Sequence, residues 1–70
     1  MKKQSVAKVI ELVGSSDKSW SDAADVAVQT ASRSIKNIAG VEVVSMTAQV
    51  AEGAIVSYKS TVKIAFGVED

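Results

Sequence analysis

The sequence predicts an α+β fold in which one helix packs on a three-stranded antiparallel sheet, in the order strand, helix, strand, strand. Three observations predict it. From Val41 to Val68 the side chains alternate between two sets with a period of two, the pattern of half-buried strands. A short link, Ala51-Glu52-Gly53, divides that stretch into two arms of a hairpin. Between Trp20 and Ile38 the apolar spacing changes to three and four, the period of a helix lying on a sheet.

The first strand is expected from Ser5 to Val13, where β-branched residues dominate and Lys8 and Glu11 interrupt. Polar residues on both faces suit an edge position. Gly14-Ser15-Ser16-Asp17 has turn chemistry and is expected to end it.

Ser19 then opens the helix. Its hydroxyl can accept a hydrogen bond from the N–H three residues on, and Asp22 stands where a capping box places its acid. Asp17 and Asp22 lie near the positive end of the helix dipole, Arg33 and Lys36 near the negative end. Trp20, Ala24, Ala27, Val28, Ala31, Ile35 and Ile38 form the packing stripe. Its alanines allow a close approach to the sheet. Asn37 to Gly40 is the expected stop, with Gly40 able to take a positive φ.

The second strand, Val41 to Val50, is expected to place Glu42, Val44, Met46, Ala48 and Val50 on one face and Val41, Val43, Ser45, Thr47 and Gln49 on the other. The third sets Ala54, Val56, Tyr58, Ser60, Val62, Ile64, Phe66 and Val68 against a wetter face with Lys59 and Lys63. A helix crossover makes the first two strands parallel to each other. The third runs against both, so a central position for it makes the sheet antiparallel throughout. Both hairpin arms exceed the usual five or six residues, and one helix cannot cover them.

A single domain spanning residues 1–70 is expected. A chain this short is marginal as a lone globule unless something staples it. It has no cysteine for a disulfide and no histidine, so the usual structural zinc ligands are missing. Apolar residues make up 47% of the chain, but only three residues are aromatic, leaving little bulk for a private core. Self-association is the remaining staple. Eight basic and eight acidic residues cancel, which leaves no electrostatic footprint for nucleic acid. Lys2-Lys3 is followed by no apolar run of signal-peptide length, and the longest apolar patches are strand-sized, so no membrane association and a cytoplasmic location are expected.

In joint order, Val9-Ile10-Glu11-Leu12-Val13-Gly14-Ser15-Ser16, Ser19-Trp20, Ala31 through Ile38, Val41-Glu42-Val43, the Gly53 turn, Tyr58 and Val62-Lys63-Ile64-Ala65-Phe66 resemble the dodecin family over nearly the whole chain. The resemblance implies a strand, a helix and a long hairpin, assembled into hollow twelve-subunit shells. It implies a role in small-ligand binding, storage or buffering, since the best-known members bind flavins in pairs at subunit contacts.

Where those members carry a flavin-stacking Trp after the helix, this chain has Gly40, and where they carry a Gln directly after the Tyr of the last strand, it has Lys59. Glycine offers no π surface, forfeiting about 1–3 kcal/mol per aromatic platform. Lysine donates hydrogen bonds but accepts none. The chain is thus more similar to dodecins lacking the flavin Trp, some of them described with calcium, and flavin binding is expected to be weak or absent. A flavin-storing dodecin for riboflavin or FMN, and a purely structural shell, are the alternatives.

Trp20 reads as packing at the end of the helix stripe, with a ligand platform as the alternative. Tyr58, on the apolar face, reads the same way. Lys59 and Lys63 share a face and either rim an anionic ligand or pair with glutamates. Glu52 beside Gly53 reads as a turn acid. Calcium needs several oxygens, and Glu11, Asp17, Asp22, Asp25, Glu42, Glu52, Glu69 and Asp70 are scattered, without the alternating acids of an EF-hand loop. A calcium site would have to be assembled across subunits or from distant residues. No His, no Cys and no phosphate-cradling glycine motif leave enzyme activity without a candidate, so a non-enzymatic protein is expected.

Overall fold

The computed structural model of the chain describes residues 6–68. The expected strand start at Ser5, the Lys2-Lys3 pair and the acids Glu69 and Asp70 lie outside the described residues. Four elements follow one another: β1 (Val6–Ser16), α1 (Trp20–Ser32), β2 (Ile38–Ala51) and β3 (Ala54–Val68). The sheet order is β1-β3-β2, antiparallel at both contacts. β3 is central and β1 is an edge, as the alternation and the helix crossover predict.

β1 continues three residues beyond Val13. Gly14, Ser15 and Ser16 pair with Ser60, Lys59 and Tyr58 instead of turning away. The reason is the helix, whose backbone crosses this point. A Cβ at buried Gly14 would overlap the carbonyl of Ala23, so only glycine lets helix and strand meet there. Turn composition here marks a close approach.

Ser19 caps α1 as expected, its Oγ accepting from the backbone N–H of Asp22 at 2.9 Å. The Asp22 carboxylate reaches back further, accepting from Ser16 Oγ at 2.7 Å, and so ties the helix start to the end of β1. The deepest helix residues are Ala23, Ala27 and Ala31, an i, i+4 row. Ala24 and Val28 flank the core. The helix ends at Ser32, so Ile35 and Ile38 pack on the core from the connection and from β2 rather than from the helix. Arg33 is the C-cap and Lys36 lies beyond it. The positive φ belongs to Asn37, at 65°, and not to Gly40, which is inside β2. Asn37 accepts a backbone bond from Gly67 N–H at 2.9 Å, which fixes the chain's entry into the sheet.

β2 does not keep one alternation. Val43 faces Val62 whereas Ser45 faces Thr61, so Val44 is an extra residue in a bulge. The ladder puts Val41, Val43, Met46 and Ala48 opposite Ile64, Val62, Ser60 and Tyr58 on the helix side. Gly40, Glu42, Ser45, Thr47 and Gln49 oppose Ala65, Lys63, Thr61, Lys59 and Ser57 on the outer side. This corrects the expected grouping of Glu42 and Val44 with Met46 and Ala48. The hairpin closes through Glu52 and Gly53, with φ of 53° and 79°, as a two-residue turn of the type that suits twisted strands.

The core is small. Val62 and Ile64 of β3 meet Ala27 and Ala31, with Ile10, Leu12, Val28, Ile35 and Ile38 around them. Beyond the helix, β2 and β3 run on as an uncovered arm, and the described residues extend over 56 × 20 × 13 Å. The expected excess of hairpin over helix is therefore present.

Candidate functional site

The two faces of the sheet offer different chemistry. On the outer face, the ladder places Val9, Ala65 and Gly40 in one row and Glu11, Lys63 and Glu42 in the next. Together Val9, Gly40, Val41, Glu42, Lys63 and Ala65 line an open cleft of about 500 Å³. Gly40 has no heavy atom within 4 Å of where its Cβ would stand, so the cleft floor is bare backbone. The Lys63 ammonium has a carboxylate-bearing neighbour on each side. Opposite charges directly across a ladder contribute about 0.2–1 kcal/mol per pair.

Lys59 is on the same outer face but not in this cleft. It opposes Ser15 of β1 and Thr47 of β2, and its Nζ donates to Ser15 Oγ at 3.4 Å. Gly40 faces Ala65, six residues along β3, or roughly 20 Å at strand rise. Within one subunit the two positions where the chain departs from the flavin pattern are thus not brought together. Lys63, not Lys59, is the lysine beside Gly40. Sequence spacing did not show this, because the register depends on the Ala39 and Val44 irregularities of β2.

On the helix face, Trp20 and Tyr58 meet edge to face, with ring centroids 4.8 Å apart and planes at 81°. Trp20 Nε1 donates to the Thr47 carbonyl at 2.7 Å, and the Trp20 carbonyl accepts from the fully buried Ser60 Oγ at 2.8 Å. The indole is thereby held by two contacts and its backbone by a third, and its packing role is the one the geometry expresses. A second groove of about 470 Å³ runs beside it, lined by Ala24, Val43, Met46 and the hydroxyls of Ser19, Ser21 and Ser60. It lies on the opposite face from Gly40. Trp20 cannot reach the Gly40 cleft of its own subunit.

The acids stay dispersed. Among the described residues no group of three or more metal-ligating side chains is assembled within one subunit. Asp22 is engaged by Ser16, and Asp25 accepts from Gln29 Nε2 at 2.7 Å.

One helix laid across a three-stranded antiparallel sheet, with a hairpin overrunning it, defines the class as a small β-α-β-β protein of dodecin architecture. The sequence profile of the Dodecin family matches residues 6–69, and the chain belongs to that family. Among solved structures it is similar to the dodecin of Streptomyces coelicolor, with a TM-score of 0.92 and 25% identity over 99% of each chain. The dodecin of Streptomyces davaonensis matches with a TM-score of 0.91 and 25% identity, over 97% of this chain and 100% of that one. The calcium-chelating calcium dodecin of Mycobacterium tuberculosis, solved with a novel calcium-binding site, matches with a TM-score of 0.79 and 34% identity over 91% of each chain. Curated protein sequences gave no significant match.

Proposed function

We propose that this chain is a non-enzymatic dodecin that assembles into a hollow dodecamer and binds, stores or buffers small ligands at its subunit contacts, with weak or no flavin binding. One observation carries the assembly. Among the described residues the buried hydrophobic ones are Ala23, Ala27, Ala31, Val62 and Ile64, while Val6, Val9, Val13, Val41, Val43, Val44, Met46, Val50, Ile55 and Val56 are all exposed. Three alanines, a valine and an isoleucine bury too little apolar area to hold 70 residues comfortably. Exposed apolar surface on this scale marks a protein contact. Family membership supports a closed homo-oligomer over open aggregation.

The ligand reading is supported by the Gly40 cleft, whose apolar row ends in a charged one. Bare backbone at Gly40, which offers no ring to stack on, supports weak flavin binding. No helix of the described residues is long and apolar enough to cross a membrane, and a cytoplasmic location is part of the proposal. Light scattering after gel filtration tests the shell, and mass spectrometry of what copurifies tests the ligand. A stable monomer removes the shell. A clean protein favours the structural reading in which the shell has no specific ligand.

A calcium-binding role is the second reading, favoured by the 34% identity to the calcium dodecin. Its site would draw carboxylates from more than one subunit. Calorimetric titration with calcium on the assembled protein tests it: no saturable heat removes it.

A further inference from the structure

We propose that the hairpin tip of one subunit docks into a basic pocket at the base of a second copy, with Glu52 as its charged end. This deepens the shell reading and rests on it. The pocket, about 400 Å³, lies where the chain passes from α1 into β2, on the helix side of the sheet. Ile35, Phe66 and Val68 give it an apolar wall, and Lys8, Lys36 and Ser34 give it a polar one. No carboxylate of the described residues lines it. Glu11, three residues along β1 from Lys8, is on the opposite face of the sheet and beside Lys63. Two cations therefore stand against an apolar wall with no acid from the ladder to balance them.

The hairpin tip is the complement. In the link Ala51-Glu52-Gly53-Ala54 every residue but the glutamate is small, and the turn holds Glu52 at a φ of 53°. The rows behind it, Ala51 with Ala54, Val50 with Ile55 and Gln49 with Ser57, contain no cation. Val50 and Ile55 are both exposed, so the acid has apolar shoulders. A narrow acidic tip with apolar shoulders matches a basic pocket with an apolar wall in charge and in polarity. The other acids are placed differently. Glu11 and Glu42 flank Lys63, Asp22 is engaged by Ser16 and Asp25 by Gln29, and Asp17 lies between β1 and α1, away from the ends of the molecule.

The contact has to join different copies. Phe66 and Ala54 are twelve residues apart on β3, roughly 40 Å at strand rise, so no tip reaches its own base. Each copy offers one tip and one base. That is a heterologous contact, which closes into a ring when the rotation between copies allows it. A single exposed ion pair is weak, but every copy repeats this one, and the apolar shoulders and wall are buried with it.

The test is light scattering on the full-length protein over a dilution series, with far-UV circular dichroism on the same samples to show that each variant is folded. Glu52→Lys sets a third cation against two and should raise the concentration at which the assembly comes apart by about tenfold or more. Lys8→Glu with Lys36→Glu should do the same. All three changes in one chain restore opposite charges and should restore the assembly. Glu52→Gln, which removes the charge without reversing it, should fall between Glu52→Lys and the parent. Glu69→Gln with Asp70→Asn should leave the assembly intact. The contact is overturned by a folded Glu52→Lys that assembles like the parent, or by a folded triple variant that stays dissociated. It is also overturned if Glu69→Gln with Asp70→Asn dissociates where Glu52→Lys does not, since the acids following Val68 would then be the occupant. A dodecamer indifferent to Glu52→Lys overturns the contact and leaves the shell. A monomeric parent overturns both.

Discussion

Gly14 of β1 and Ala23 of α1 are in backbone contact: a Cβ on Gly14 would overlap the Ala23 carbonyl oxygen and stand 3.1 Å from Ala27 Cβ. The obstruction is main chain, so no rotamer change relieves it, and the helix would have to lift off the strand. Gly14→Ala should destabilise by about 1–3 kcal/mol, the range for forcing an extra carbon into a packed core. Urea unfolding at fixed protein concentration measures it. A midpoint unchanged from the parent would show that helix and strand meet more loosely than this geometry implies.

Trp20 joins the helix start to the hairpin through two separable contacts. Trp20→Phe removes the Nε1 bond to the Thr47 carbonyl but keeps a ring against Tyr58. The expected cost is about 1 kcal/mol, since Thr47 lies on an edge strand where water can replace the donor. Trp20→Ala removes both and should cost more, up to about 3 kcal/mol, the low end for deleting a large aromatic because the indole is only half-buried. Thermal melting ranks the two. Equal losses would mean that the ring packing contributes nothing beyond the hydrogen bond.

The fold was largely legible because period and punctuation agree. Alternation gave β3 its faces correctly from Tyr58 to Ile64, and Ser19 marked the helix start to the residue. What failed had physical causes. Alanine signals nothing by size, so Ala23 was missed although it is fully buried. A glycine beside two serines resembles a turn even when it serves a helix contact, as at Gly14. A bulge leaves no mark in composition, and the one at Val44 reverses the faces of half a strand. The candidate site depended on that register, so the partners of Gly40 and Lys59 could not be read in advance.

Assembly should depend on the uncovered arm. Val56 lies on β3 past the end of the helix and is 47% exposed. Val56→Asp places a charge where the proposed contact would have to desolvate it, which costs several-fold more than the lost methyl groups. Light scattering should show twelve chain masses for the parent and smaller species for the variant. Val26→Asp, on the exposed side of α1, is the comparison, with a residue only 38% exposed but off the arm. Intact dodecamers of Val56→Asp would move the contact away from this part of the hairpin.

Flavin binding is the last expectation, and the geometry divides it into parts. Stacking needs a plane, and at Gly40 there is none; Tyr58 and Trp20 are on the other face of the sheet, locked against each other. Riboflavin or FMN titrated into the protein should therefore show no fluorescence quenching that saturates at low micromolar flavin. Space at Gly40 is open, with no atom within 4 Å of a Cβ there, so Gly40→Trp should be accepted without unfolding and should introduce quenching. Lys59→Gln should add to this only in the assembled protein, because within one subunit it lies roughly 20 Å from Gly40 along β3. Saturable quenching in the unmodified dodecamer would overturn the expectation, and would mean that a neighbouring subunit supplies the aromatic plane that position 40 lacks.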